Sequence, residues 1–299
     1  MQKFFIYCFT FFLILSFPAY AKSISGTAAI VVSHKIKPYM NIVSGIKKRF
    51  EELNFSLNSD IYTLKETEKE LIFLENQLVN KEYQFIIAIG PEAAEFVFNS
   101  KKLNVQKFYS GVLNPDKIPS LFNSSGVSLR IPVSVQLKNI SLSFPDVKKI
   151  GIVFNPENNY WFYQKAVEAA GTNIDIIPFF VSSSKDITKI IDEKISEADL
   201  VWMIPDKTVI SERIIYYIIK TALYNNKGVI GYNSFFINAG AIFSFFFDYE
   251  KIGLQTADLI ADCLKTGNCR KSPPEFKFFI NKEVVEKTKI RSGDRPCPY

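Results

Sequence analysis

The chain is short of the residues that most enzymes and metal sites depend on. It has one histidine, His34, in 299 residues. A site built from several histidines, or a serine relay with a choice of histidine bases, is disfavoured on that count. None of its four cysteines forms a Cys-x-x-Cys pair, which disfavours structural zinc. No Gly-x-Ser-x-Gly, His-Glu-x-x-His, Gly-x-Gly-x-x-Gly or P-loop motif occurs. No cofactor or metal is therefore expected. Thirteen glycines and 14 prolines are too few for a collagen-like or linker-dominated chain. A strong charge excess is missing too. The net charge is +6, with lysine and arginine scattered rather than clustered, so no nucleic-acid partner is expected. Beyond the first residues there is no uninterrupted apolar run of membrane-spanning length.

What is present begins with a leader. Lys3 precedes the almost wholly apolar stretch from Phe4 to Phe17, and Ala19-Tyr20-Ala21 supplies small residues at the cleavage positions. This reads as a signal peptide over residues 1–21, cleaved before Lys22, with a soluble product exported to the periplasm. Cys8 lies inside the apolar run, away from the cleavage point, so lipid anchoring is not indicated. Removing Lys3 lowers the net charge by one. Three cysteines remain, in a compartment where disulfides persist. Cys263 and Cys269 enclose Leu-Lys-Thr-Gly-Asn, a helix end and turn. A bridge between those two, leaving Cys297 free, and a bridge from Cys269 to Cys297 are both open.

With 47% of its residues apolar, the chain can bury one large core or two medium ones. Short apolar strands alternate with helical periodicity. Strands are expected at Ala28–Val32, Phe85–Ile89, Phe108–Tyr109 and Val127–Leu129. Helices are expected at Met40–Leu53, Glu68–Val79 and Glu92–Phe98. The same grammar restarts with strands at Lys149–Phe154, Ile174–Val181, Leu200–Ile204 and Gly228–Gly231. Helices at Trp161–Ala170, Ile187–Ile195 and Val209–Leu223 separate them. Continuous apolar strands between helices mean parallel sheets covered on both faces. The expected fold is therefore α/β, with two doubly wound, Rossmann-like lobes whose first join lies near Leu129–Ser134. A strand at Gly240–Phe247, a long helix at Tyr249–Leu264, a strand at Lys277–Ile280 and a short last helix follow. They imply a chain that crosses between the lobes more than once. Lobe 1 is expected to comprise residues 22–130 plus about 243–270, and lobe 2 residues 131–242 plus about 271–299.

In doubly wound sheets the carboxyl ends of the strands line the ligand crevice. Ser33 and His34 follow the first strand directly, and His34 could face a ligand or be an ordinary loop histidine. Gly90 and Pro91 lead into a helix whose free N–H groups could hold an anion, or form a plain turn. Asn155 and Asn158 follow the strand at Ile150. Asp206 and Thr208 follow the strand at Val201, and Asp206 could meet a ligand ammonium or cap the next helix. Asn233 and Ser234 follow the strand at Val229. Tyr39, Tyr160-Trp161-Phe162-Tyr163, Phe235-Phe236 and Phe243 to Phe247 crowd the same ends. That is a composition suited to stacking a flat or apolar ligand, although for any one of these rings the core reading comes first.

In order and spacing these pieces resemble one family. They are Phe85-Ile86-Ile87-Ala88-Ile89-Gly90-Pro91-Glu92-Ala93, Val112-Leu113-Asn114-Pro115 and Gly126-Val127-Ser128-Leu129, then Ile150 through Pro156, Pro205-Asp206-Lys207-Thr208-Val209, Gly240–Ser244, Asp248–Gly253 and Asn281. Together they resemble the ABC-transporter substrate-binding family that contains tryptophan- and tyrosine-binding proteins, over roughly Ile24 to Ile290. The resemblance implies a type I periplasmic-binding-protein fold, with two lobes on a multi-strand hinge closing over a ligand. It implies capture of a small molecule, an amino acid or an aromatic compound, and delivery to an ABC permease by a monomer, not catalysis. It also implies Gly90 and Pro91 on the first lobe's rim, with Asn155, Asp206, Thr208, Asn233 and Ser234 on the second's. Tyr160-Trp161 stands where many members have a small polar Asn-Ser pair, which implies a reshaped pocket. The alternative is a periplasmic ligand sensor or adaptor of the same fold that docks to a receptor.

Overall fold

The computed structural model describes residues 25–121 and 124–293. The leader and Cys297 lie outside the described residues. The first run of elements is β1 (Ser25–Val32), α1 (Lys37–Glu52), β2 (Ser56–Thr63), α2 (Glu68–Asn80), β3 (Phe85–Ile89), α3 (Pro91–Asn99), β4 (Gln106–Val112) and β5 (Ser125–Ser128). The second is α4 (Val133–Ser143), β6 (Lys149–Phe154), α5 (Pro156–Ala170), β7 (Asp175–Phe180), α6 (Ile187–Lys194), β8 (Leu200–Met203), α7 (Glu212–Tyr224), β9 (Gly228–Gly231), α8 (Ser234–Asn238) and β10 (Phe243–Phe246). The chain ends with α9 (Tyr249–Thr266), β11 (Lys271–Ser272), β12 (Lys277–Ile280) and α10 (Lys282–Thr288).

Two six-stranded sheets result, ordered β11-β5-β4-β3-β1-β2 and β12-β10-β9-β8-β6-β7. Pairing is parallel throughout except between β10 and β12. β1 and β3 are apolar on both faces because helices cover both, as their fully buried Ala28–Val32 and Phe85–Ile89 show. Apolar clusters lie on each face of each sheet. The fold is thus the expected pair of doubly wound lobes.

The chain passes between the sheets three times, after β5, after β10 and after β11. The second passage follows Phe246 and the third follows Ser272. β10 stays in the second sheet because Phe243 stacks on Phe278, with ring centroids 5.1 Å apart, and packs in the same core as Ile230. β11 joins β5 in the first sheet through the Lys271–Gly126 and Ser272–Val127 registers. Between these passages α9 returns to the first lobe and lies along α1. Arg49 Nε donates to Asp258 Oδ1 at 2.8 Å and Lys48 Nζ to Glu250 Oε1 at 2.9 Å across that seam.

A disulfide joins Cys263 and Cys269, with Cα atoms 4.6 Å apart, and closes the turn after α9 where Gly267 takes φ +75°. On the chain-entropy model so short a loop contributes about 2 kcal/mol. Lys265 lies between the two cysteines. Tryptic digestion without reductant should therefore release two peptides still linked through them. Free Cys263 and Cys269 peptides would show that the bridge is absent in solution.

Candidate functional site

The strand ends of the two sheets face one another beside the passages. A cavity of about 300 Å³ lies there. The ends of β4 and β5 line it from the first lobe with Leu113, Asn114, Leu129 and Arg130. From the second come Asn159, Trp161 and Phe162 of α5, Ile204 and Pro205 after β8, and Tyr232 and Asn233 after β9. Phe245 and Phe247 of the β10 segment and Tyr249 at the start of α9 complete an aromatic wall. The volume sits at the small end of the ligand-pocket range, and its lining is mostly apolar. A second, outer cavity of about 690 Å³ shares Arg130 and Trp161 with it.

Arg130 follows β5 at the first passage. Its guanidinium carbon stands 4.7 Å from the centre of the Trp161 ring, a cation–π contact between segments of the two lobes. Nη1 donates to Asp116 and Nη2 to Asn114 Oδ1 at 3.0 Å. Its Nε is buried and has no protein partner.

Behind the cavity wall Asp206 organises the second lobe's rim. The residue is 2% exposed. Oδ2 accepts from the Asn155 backbone N–H at 3.0 Å and from Asn159 Nδ2 at 2.8 Å. Oδ1 accepts from Asn158 Nδ2 at 3.1 Å and from the Thr208 N–H at 2.9 Å. Burial pushes this carboxyl up. The hydrogen bonds from Asn159, the Thr208 and Asn155 amides and Asn158 outweigh it and hold the group below its ordinary value. Asn155 caps α5, accepting from Glu157 N–H at 3.0 Å while Nδ2 donates to Thr208 Oγ1 and to the Ser182 carbonyl, both at 3.3 Å. Asn159 leaves helical dihedrals (φ −137°, ψ 23°), and its Nδ2 bonds the Pro205 carbonyl as well as Asp206. Asp206 is not the cap of α7, because a turn intervenes and Ser211 holds that position.

The other expected residues fall into three groups. Asn155, Asn158, Asp206 and Thr208 are brought together in the network just described. Asn233 lines the cavity and caps α8, accepting from Phe235 N–H at 3.0 Å; Ser234 is the exposed first residue of that helix. Ser33, His34, Tyr39, Gly90 and Pro91 gather on the first lobe, off the cavity wall. Ser33 Oγ, buried, accepts the Ala93 N–H at 2.9 Å and so anchors the start of α3. Gly90 takes φ +91° against Ser33 and Tyr39, where a Cβ would collide with both side chains, and Pro91 opens α3. His34 is exposed, 3.9 Å from Glu92 Oε2. Tyr39 is half-buried, and burial, then Glu92 and Tyr249, push its phenol above the ordinary tyrosine value. Arg130, Gln136, Ile210, Tyr232 and Tyr249 also line the cavity without any signal in the sequence, and so does Asn159, the last residue of the Asn155–Asn159 segment that follows the strand at Ile150. Burial first and the charge of Asp206 second push the Tyr232 phenol up to about 12, so it is neutral.

With this geometry in view, comparison with known proteins is direct. The family model described as ABC transporter substrate binding protein matches residues 28–295. The chain belongs to that family. A tyrosine-binding protein of Clostridioides difficile (strain R20291) is 22% identical over 227 residues, 71% of this chain. The chain spans 65% of that relative's length. Among solved structures, a ligand-free, open substrate-binding protein with adhesive properties from Clostridium difficile aligns with a TM-score of 0.76 at 16% identity. The alignment covers 91% of this chain and 97% of that one. An ABC domain in complex with L-Trp from Streptococcus pneumonia aligns at 0.57 and 18% identity, covering 89% and 95%. The architecture is that of the two-lobed type I periplasmic binding proteins. The family is one of substrate-binding proteins rather than an enzyme class, and no helix among the described residues is long and apolar enough to cross a membrane.

Proposed function

We propose that this chain is an exported solute-binding protein that captures a small molecule between its lobes and delivers it to an ABC importer. The observation that carries the reading is the aromatic-walled cavity at the facing strand ends, beside three chain passages on which two lobes can hinge. Trp161, Phe162, Tyr232, Phe247 and Tyr249 supply surface for an aromatic or apolar body, and Asn114, Asn159 and Asn233 supply polar contacts at its edge. The tyrosine-binding relative and the L-Trp-bound neighbour favour a ligand of that size and shape. The elements from β1 to β5 with α9 and β11 form lobe 1 in this reading, and the second sheet with its helices forms lobe 2. Ser33, His34, Tyr39, Gly90 and Pro91 would meet the ligand only when the lobes close further, and Asp206 would act through Asn159. The protein works as a periplasmic monomer.

Native mass spectrometry of protein released from the periplasm without denaturation should find a small molecule bound one to one. Deleting the protein should abolish cellular uptake of that molecule. Unchanged uptake would remove the importer from the reading and leave a sensor. A further expected result is a mature N-terminus at Lys22, read by N-terminal sequencing. Retention of Met1 in a membrane fraction would make the leader an anchor.

A further inference from the structure

Resting on the cavity as the ligand site, we propose that the ligand is an aromatic-sized carboxylate without an ammonium group, anchored on Arg130. Among the described residues, Arg130 is the one charged side chain on the cavity wall. Its Nη1 and one N–H of Nη2 are engaged by Asp116 and Asn114, and its planar face lies on Trp161. The buried Nε–H is left over. Nε and the adjacent Nη2 form the side-on fork of a guanidinium, which a carboxylate matches with two parallel hydrogen bonds. A buried donor without a partner is costly; this one is closed off as the side chain now lies, so the ligand satisfies it once the Arg130 side chain turns its Nε edge into the cavity.

No carboxylate stands ready for an ammonium. Asp206 accepts four protein hydrogen bonds, which fill the lone-pair positions of a carboxylate. Asp116 serves Arg130, and it and Glu168 line the outer cavity, where their side chains are 62% and 70% exposed. An ion pair there adds little. Glu92 stands beside His34, off the cavity wall. An ammonium in the inner cavity would meet only neutral amide and hydroxyl oxygens, which leave its charge uncompensated away from water.

The test is a matched series read by titration calorimetry: 3-phenylpropionate, L-phenylalanine and 2-phenylethylamine, with indole-3-propionate, L-tryptophan and tryptamine as the larger set. The acids should bind at least about 10-fold tighter than the amino acids, and the amines should not bind. Arg130→Gln should weaken the acids by about 30-fold or more, and Arg130→Lys should recover part of that loss. Thermal melting reports whether each variant is folded. An amino acid binding as tightly as its acid, an amine that binds, acids insensitive to Arg130→Gln, or no binding across the series overturns the proposal. Leu129→Trp separates it from the reading beneath. Leu129 lines the same cavity, and a bulky ring there should block every ligand. If binding survives Leu129→Trp, the cavity is not the site and both fall. If Leu129→Trp abolishes binding of an amino acid that rivals its acid, the site stands and the ligand class alone is wrong.

Discussion

Replacing Asp206 by alanine should lower the unfolding free energy by about 3–5 kcal/mol. The residue is 2% exposed and its carboxylate accepts four hydrogen bonds. Removing it strands the Asn155 and Thr208 amides and two asparagine side chains in a place water reaches poorly. Asp206→Asn keeps the shape but turns one acceptor into a donor facing donors, and about 2 kcal/mol is expected. Denaturant unfolding at pH 7 reads both. The pH dependence has a fixed sign. The folded carboxyl lies below its ordinary value of 3.8, so its contribution is complete above that value and is lost as pH falls through the folded one. The gap between wild type and Asp206→Asn should therefore be constant from pH 7 to 5 and shrink below about pH 4. A large loss of ligand affinity with no loss of stability would show instead that Asp206 meets the ligand directly.

Gly253→Val should be the second severe change, costing about 3 kcal/mol or more. Gly253 of α9 and Gly45 of α1 touch backbone to backbone. A Cβ on Gly253 would overlap the Ile42 carbonyl oxygen and the Gly45 Cα, and one on Gly45 would overlap the Glu250 carbonyl. No flexible side chain is there to yield. A glycine inside a helix forfeits about 1 kcal/mol relative to alanine, so the close approach has to be worth more than that. The seam also fixes the start of α9, where Tyr249 meets the cavity. Unfolding by denaturant should show the loss, and weaker binding should accompany it. A stabilised Gly253→Val would mean that the helices have room to spare.

Much of the architecture is legible in the chain, because buried parallel strands leave short apolar runs bounded by turn residues and separated by helical periodicity. Phe85–Ile89 and Leu200–Met203 are examples. β2 is the opposite case. Its Ser-Leu-Asn-Ser-Asp-Ile-Tyr-Thr sequence is largely polar because the strand closes an edge of the sheet with much of its surface in solvent, so no run marks it. α5 starts at Pro156, earlier than its apolar periodicity suggests, because its first turn faces the cleft and carries asparagines instead. The rule that ligands meet the carboxyl ends of strands points to Asn155, Asn158, Asp206, Thr208 and Asn233 as candidates, of which Asn233 lies on the cavity wall. It does not reveal that the first four satisfy one another. Arg130 left no local signal at all. Its place on the cavity wall is fixed by Asp116 and Trp161, which it meets only in space, and a charged residue at a passage between lobes reads like any surface arginine.

The three passages have a consequence for biosynthesis. Lys48 finds its partner Glu250 202 residues further on. Until α9 has left the ribosome, the flank of α1 around Gly45 and Ile46 has nothing to cover it. The second sheet likewise lacks its edge until β12 is made. Neither lobe can be finished early, and no single cut yields one lobe as a continuous chain. A nascent chain with this connectivity stays open until β12 is made, the condition in which a polypeptide can still be threaded through a narrow pore.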